Sequence, residues 1–279
     1  MTASDGEQPT PEAVAADCEY VACAVGDRIE GVATVTISRP DARNALNAQV
    51  REELTRVVGA IDDADSGVRV VVLTGADEAK AFVAGADVSE LRERGMLEQR
   101  RASERPRVYE HVADLRQPVI ARINGHALGG GSELALACDV RIAHERAKLG
   151  QPEINLGIIP GGGATQRLVR LIGEGQAMKL ILSGELIDAA EAADIGLVDE
   201  VHGDDAFDDR VYELAASMAD KSPVALEYAK TAVQAASRMG LDEGIDYEAE
   251  LFAALFATED KNEGIDAFFE DRDPEWEGR

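Results

Sequence analysis

Basic side chains are scarce in this chain of 279 residues: 28 Lys and Arg stand against 54 Asp and Glu, a net charge of −26. Such a chain repels nucleic acid and anionic lipid, which excludes nucleic acid and membrane surfaces as partners. Cysteine is scarce too, with only Cys18, Cys23 and Cys138. An odd, small number excludes a disulfide framework. Cys18 and Cys23 also lack the second Cys/His pair that a zinc set needs. Long apolar runs are missing. Val70 to Leu73 is typical, so nothing here spans a bilayer. Residues 1–17 lack the basic start and apolar stretch of a secretory signal. They are expected to be a disordered tail on a cytoplasmic protein. There is no P-loop or zinc motif, no G-x-S-x-G around Ser132, and no low-complexity segment or short-period repeat.

What remains is a globular composition, 45% hydrophobic, in a chain long enough for one large domain and an ample core. The acidic residues are spread along the chain and not gathered in one tail. That predicts adaptation to a salt-rich cytoplasm, where screening offsets self-repulsion.

Strand patterns appear at Tyr20 to Ala24, Val32 to Ile37 and Arg69 to Thr74. Between the last two, Asn47 can cap a helix whose residues Val50, Leu54, Val57, Val58 and Ile61 recur at helical spacing. Ser89 begins a charged helical segment reaching about Leu115, interrupted at Pro106. Short helices are expected at Ala164 to Ile172, Gly175 to Leu182 and Asp188 to Ile195, and a last strand at Val198 to Val201. From about Asp205 onward only helices are expected. The chain therefore divides near residue 203, with strand–helix alternation before it and helices alone after it. The expected parts are the tail at 1–17, a core at 18–203 and a helical region at 204–279.

The informative stretch runs from Gln117 to Leu171. A strand, Val119 to Ile123, breaks into Asn124-Gly125 and three consecutive glycines, Gly129 to Gly131. An apolar helical run, Leu134 to Cys138, and a strand, Val140 to Ala143, follow. A second glycine cluster, Gly161 to Gly163, then leads into helix. Three glycines in a row cost backbone entropy, so they imply unusual φ/ψ or close approach of backbone to a ligand. Strand, glycine turn and helix in that order leave free N–H groups for an anion or a developing oxyanion. Glu133 and Glu153 sit beside the two clusters. The helix start beside Glu133 is expected to favour its anionic form. Glu153, among Ile154, Leu156 and Ile158, is expected to have a raised pKa suited to an acid.

The segments RPDARNALN, KAFVAGADVSEL, NGHALGGGSELALACD and GQPEINLGIIPGGGATQRL resemble those of the crotonase superfamily, the enoyl-CoA hydratase/isomerase family. SGELIDAAEAADIGLVDEV, SPVALEYAKTAV and EGIDAFFEDR extend the likeness from roughly Val32 to the C-terminus. The resemblance implies an α/β fold, a spiral of repeated ββα units followed by a C-terminal helical region that packs against neighbouring subunits. It implies enoyl-CoA hydratase activity on an acyl-CoA thioester in fatty-acid β-oxidation, a homotrimer or homohexamer, and no metal or redox cofactor. Coenzyme A enters as part of the substrate.

By the same likeness Glu133 and Glu153 are the catalytic pair, in either order of acid and base. Ala86 and Gly130 donate the backbone N–H groups of an oxyanion hole. Arg43, Ala45, Lys80, Ala84, Asp87, Val88, Gly161 and Phe252 contact substrate or coenzyme A, with Arg272 a further phosphate candidate. Asp41 and Asp271 depart from the family, standing where many relatives carry lysine. The alternatives are isomerisation of an enoyl-CoA, 3-hydroxypropionyl-CoA dehydration, methylglutaconyl-CoA hydration, or a non-catalytic RNA- or protein-binding relative. Two intact glutamates favour hydration, and the negative charge disfavours RNA.

Overall fold

The computed structural model describes residues 9–279. The first described element corrects the expected tail over residues 11–16. Helix α1 (Pro11–Ala16) is capped by the Thr10 hydroxyl, which accepts from Ala13 N at 3.3 Å, and it buries Ala15 in the core. Proline at the first helical turn has no N–H to leave unsatisfied, so it suits this start. The rest of the expected tail, residues 1–8, lies outside the described residues.

Strands β1 (Val21–Val25) and β2 (Val32–Ile37) pair antiparallel. Helix α2 (Ala48–Ile61) follows, and Asn47 Oδ1 caps it by accepting from Val50 N at 2.8 Å. Its periodic residues Val50, Leu54, Val57, Val58 and Ile61 are all buried, as their spacing predicts. β3 (Val70–Gly75) is buried throughout, which fits a central strand with a packed layer on each face. Then come β4 (Ala81–Val83), α3 (Val88–Glu93), α4 (Met96–Ala102) and α5 (Val108–Ala113). The charged helical segment expected over Ser89 to Leu115 is thus three short helices, broken around Pro106 as expected and also at Arg94-Gly95.

Next are β5 (Val119–Ile123), β6 (His126–Leu128), α6 (Gly130–Ala135), β7 (Val140–His144) and β8 (Lys148–Gly150). α7 (Ala164–Ser183) joins the two helices expected there across a kink at Gly173, whose φ is 78°. β9 (Leu186–Asp188), α8 (Ala189–Asp194) and β10 (Glu200–His202) complete the strand-bearing part. Beyond it lie only helices: α9 (Phe207–Ala219), α10 (Pro223–Ala235), α11 (Leu241–Leu255) and α12 (Glu259–Glu270).

The strands form two sheets. The larger has the order β1-β2-β3-β5-β7-β10 and is parallel except for its first pair. One of its faces packs with α2. On the other, Val70, Val72 and Ile120 meet Phe207, Val211, Tyr212 and Ala215 of α9. The smaller sheet has the order β4-β6-β8-β9, with β4, β6 and β8 parallel. No strand pattern pointed to it, because each of its strands is only three residues long. Yet this sheet positions the site. Parallel strands that lie side by side end at one edge, and β4, β6 and β8 are followed at once by Ala86, Gly130 and Glu153.

Candidate active site

A cleft of about 760 Å³ opens at that edge. The loop after β4 supplies Ala84, Ala86, Asp87 and Val88 to its wall. The turn after β6 supplies Gly129, Gly130 and Glu133, and the loop after β8 supplies Glu153 and, farther on, Gly161 and Gly162. The triple glycine has three separate causes. Gly129 takes φ 49°, and a Cβ there would stand 2.8 Å from Glu153 Oε1. A Cβ on Gly130 would stand 3.1 Å from the Tyr109 hydroxyl and 3.3 Å from Ala86 N. A Cβ on Gly131 would run into the Val83 carbonyl of the neighbouring strand.

The same geometry brings the Ala86 and Gly130 nitrogens to within roughly 6 Å, close enough for two N–H groups to share one oxygen. Neither amide donates to another backbone group among the described residues. Leu46 holds the first of these donors in place. Its N–H donates to Gly85 O at 2.8 Å, and its carbonyl accepts from Asp87 N at 2.9 Å.

Glu133 is 3% exposed, and its Oε1 accepts from Gly162 N at 2.6 Å and Ala164 N at 3.0 Å. Burial raises its pKa, while those amides and the Arg107 cation pull the other way. This corrects the expectation that the helix start would favour the anion. α6 has only six residues, and removal from water outweighs what its end supplies. Burial pushes the Glu153 carboxyl up to about 7, and the nearby charge of Glu133 adds to the rise. That is the direction expected from its apolar neighbours. With its amide nitrogen turned toward Glu153, Gln151 donates to both carboxylate oxygens at 3.3 Å and accepts from the Ser132 hydroxyl at 3.0 Å. These long bonds favour the carboxylate, and the backbone N–H of Glu153 itself holds the rise back.

The other expected contacts divide. Arg43, Ala45 and Lys80 are not in the cleft wall. Arg43 and Lys80 sit on exposed left-handed turns, φ 49° and 51°, with the Arg43 carbonyl accepting from Ala84 N at 3.1 Å. Asp87 lines the cleft, but its carboxylate is engaged by Arg39 at 2.7 Å and by the Ser89 hydroxyl at 2.6 Å. Phe252, for which a subunit contact is the other expected role, lies on α11, 63% exposed, and does not line the cleft of its own chain. Arg272 is held by Glu263 and Glu270, so its guanidinium is already neutralised.

Several site residues escaped the sequence reading. Gly162, next to the Gly161 that lines the cleft, donates its N–H to Glu133, inside a cluster already singled out. Arg107 caps α5 and Tyr109 lies in its first turn, in a segment whose sequence reads only as charged helix. Arg107 pairs with Glu110 at 2.7 Å and lies 5.7 Å from the Tyr109 ring centre.

The family model for enoyl-CoA hydratase/isomerase matches residues 27–279. The chain belongs to this family. It is 44% identical over 242 residues to a short-chain-enoyl-CoA hydratase of Clostridium acetobutylicum, covering 86% of this chain and 92% of that one. It is 42% identical over 252 residues to the 2,3-dehydroadipyl-CoA hydratase of Escherichia coli, covering 90% and 97%. A crystal structure of an enoyl-CoA hydratase from Bacillus anthracis superposes with a TM-score of 0.87 at 39% identity, covering 94% of this chain and all of that one. The crotonase-type fold expected from the four motif segments is therefore the fold of this chain.

Proposed function

We propose that this protein is an enoyl-CoA hydratase, adding water reversibly to a 2-enoyl-CoA to give a 3-hydroxyacyl-CoA, as in fatty-acid β-oxidation. One observation carries the reading. A buried Glu133 and a half-buried Glu153, both with raised pKa values, face one cleft with two backbone N–H groups that donate to no other backbone group among the described residues. A carboxylate at Glu133, kept available by the Gly162 and Ala164 amides, takes a proton from water. The water oxygen bonds to the β carbon, and the π electrons move through the α carbon to the thioester oxygen. Ala86 N–H and Gly130 N–H bind that oxyanion, a contribution of about 3–4 kcal/mol per donor in comparable sites. The Glu153 carboxyl, protonated up to near neutrality, delivers its proton to the α carbon. The reaction as written calls for no metal or redox cofactor. An isomerase needs to move one proton between two carbons, for which a single acid suffices, so the pair favours hydration.

Arg43 and Lys80, exposed beside the cleft, are the proposed partners of the coenzyme A phosphates. The chain is read as a cytoplasmic homotrimer or homohexamer. Among the described residues, no helix is long and apolar enough to cross a membrane. The far helices present a broad apolar surface, with Leu241, Phe268 and Phe269 each 80% exposed, more than a monomer tolerates without a covering partner. The loss of the conjugated-thioester absorbance of crotonyl-CoA on adding enzyme tests the reaction. Failure to consume crotonyl-CoA and longer 2-enoyl-CoAs alike overturns it.

A further inference from the structure

We propose that Tyr109 is a catalytic residue of this site, a third hydrogen-bond donor to the thioester oxygen alongside the Ala86 and Gly130 amides. The proposal rests on the hydratase reading above. Tyr109 is 8% exposed, and its ring fills the space beside two site glycines. A Cβ at Gly162 would lie 2.5 Å from its Cε2, and one at Gly130 would lie 3.1 Å from its hydroxyl oxygen. Packing alone would be served by phenylalanine. The hydroxyl is a polar atom that needs a partner. It is not among the polar atoms sealed inside the protein, and Tyr109 lines the cleft.

Its location says which partner. The point where a side chain on Gly130 would begin has the Tyr109 oxygen at 3.1 Å and Ala86 N at 3.3 Å as its nearest neighbours. With glycine there, that space is open, and the phenol and both amides border it. An acceptor oxygen held by the amides sits within reach of the phenol as well. Burial and the negative charge of Glu133 push the phenol further above its ordinary value. The hydroxyl therefore stays protonated and donates throughout the range in which the enzyme works.

Tyr109→Phe keeps the ring between the two glycines and removes only the O–H. For crotonyl-CoA hydration, kcat is expected to fall roughly 10- to 100-fold with KM nearly unchanged. The second readout is acetoacetyl-CoA, a thioester whose enolate absorbs in the near ultraviolet. Loss of a donor should raise the pH at which the bound ligand enolises. A fluorinated tyrosine at 109, a stronger donor of the same shape, should lower it. A folded Tyr109→Phe variant with wild-type kcat overturns the proposal. So does a fall in kcat with the enolisation pH unmoved, which would place the phenol with the water instead. Wild-type enzyme that leaves 2-enoyl-CoAs unchanged overturns the hydratase reading itself and is recognised before any variant is made.

Discussion

Glu153→Gln should make the protein more stable in mild alkali. The Glu153 carboxyl sits at about 7 against an ordinary 4.5. Between those values the folded chain binds more protons than the unfolded one, so stability declines as pH rises through this window. The ionisation cost is absent below about 4.5 and complete above about 7. A shift of this size corresponds to about 3 kcal/mol. Partial exposure of the carboxyl and the two long bonds from Gln151 reduce the expected effect to about 1–2 kcal/mol. Glutamine cannot ionise and escapes it. Urea unfolding followed by circular dichroism, at one protein concentration in molar KCl, should show the variant gaining on wild type by that amount at pH 8. At pH 5 most of the gain should vanish. A stability difference that is the same at both pH values would refute the reasoning, because it would mean the carboxyl pays no ionisation cost on folding. Such a gain would also show that the acid is kept in place for its chemistry and against the stability of the fold.

Other expectations concern the same site and the acidic surface. Glu133→Gln and Glu153→Gln should each lower hydration at least ~100-fold, with the double variant falling less than the product of the two, as measured by initial rates on crotonyl-CoA. Gly130→Ala places a methyl group 3.1 Å from the Tyr109 hydroxyl and 3.3 Å from Ala86 N. Alanine keeps the backbone N–H and should lower turnover only if this crowding hinders thioester docking, whereas Gly130→Pro, which lacks the N–H, should abolish it; a folded proline variant, by circular dichroism, with ordinary kcat would remove Gly130 from the oxyanion hole. With a net charge of −26, both activity and oligomer size should rise across a KCl series, since the Debye length shrinks from ~30 Å at 0.01 M to ~3 Å at 1 M. Light scattering that finds the protein fully assembled and most active without salt would defeat the halophilic reading.

The sequence was legible where physics leaves a long trace. The spacing from Val50 to Ile61 located α2, Asn47 marked its cap, and the apolar run at Val70 placed the central strand. The glycine clusters and the two glutamates marked the site because close backbone approach leaves no room for a side chain. The smaller sheet left no such trace, since three residues cannot establish a period of two. Tyr109 and Arg107 were illegible for a different reason. Their role depends on α5 lying against α6, a contact across the chain that no local pattern encodes. Burial also shifted the Glu133 pKa in the direction opposite to the one expected. How deep a carboxylate lies is a property of the finished fold and not of its neighbours in sequence.

The three-residue strands have a consequence of their own. Phe82, Val83 and Ala127 are fully buried, and Leu149 is 1% exposed, so this ledge is welded into the interior by its side chains on strands too short to hold together alone. Its backbone amides should resist solvent exchange until the whole molecule opens. The spacing between the Ala86 and Gly130 amides and the two carboxylates is then inherited from the interior as a fixed gauge. The exposed stretch from Ile154 to Ile159, beyond the last of the strand ends, can change its sequence, and with it the wall of the cleft, without disturbing that gauge.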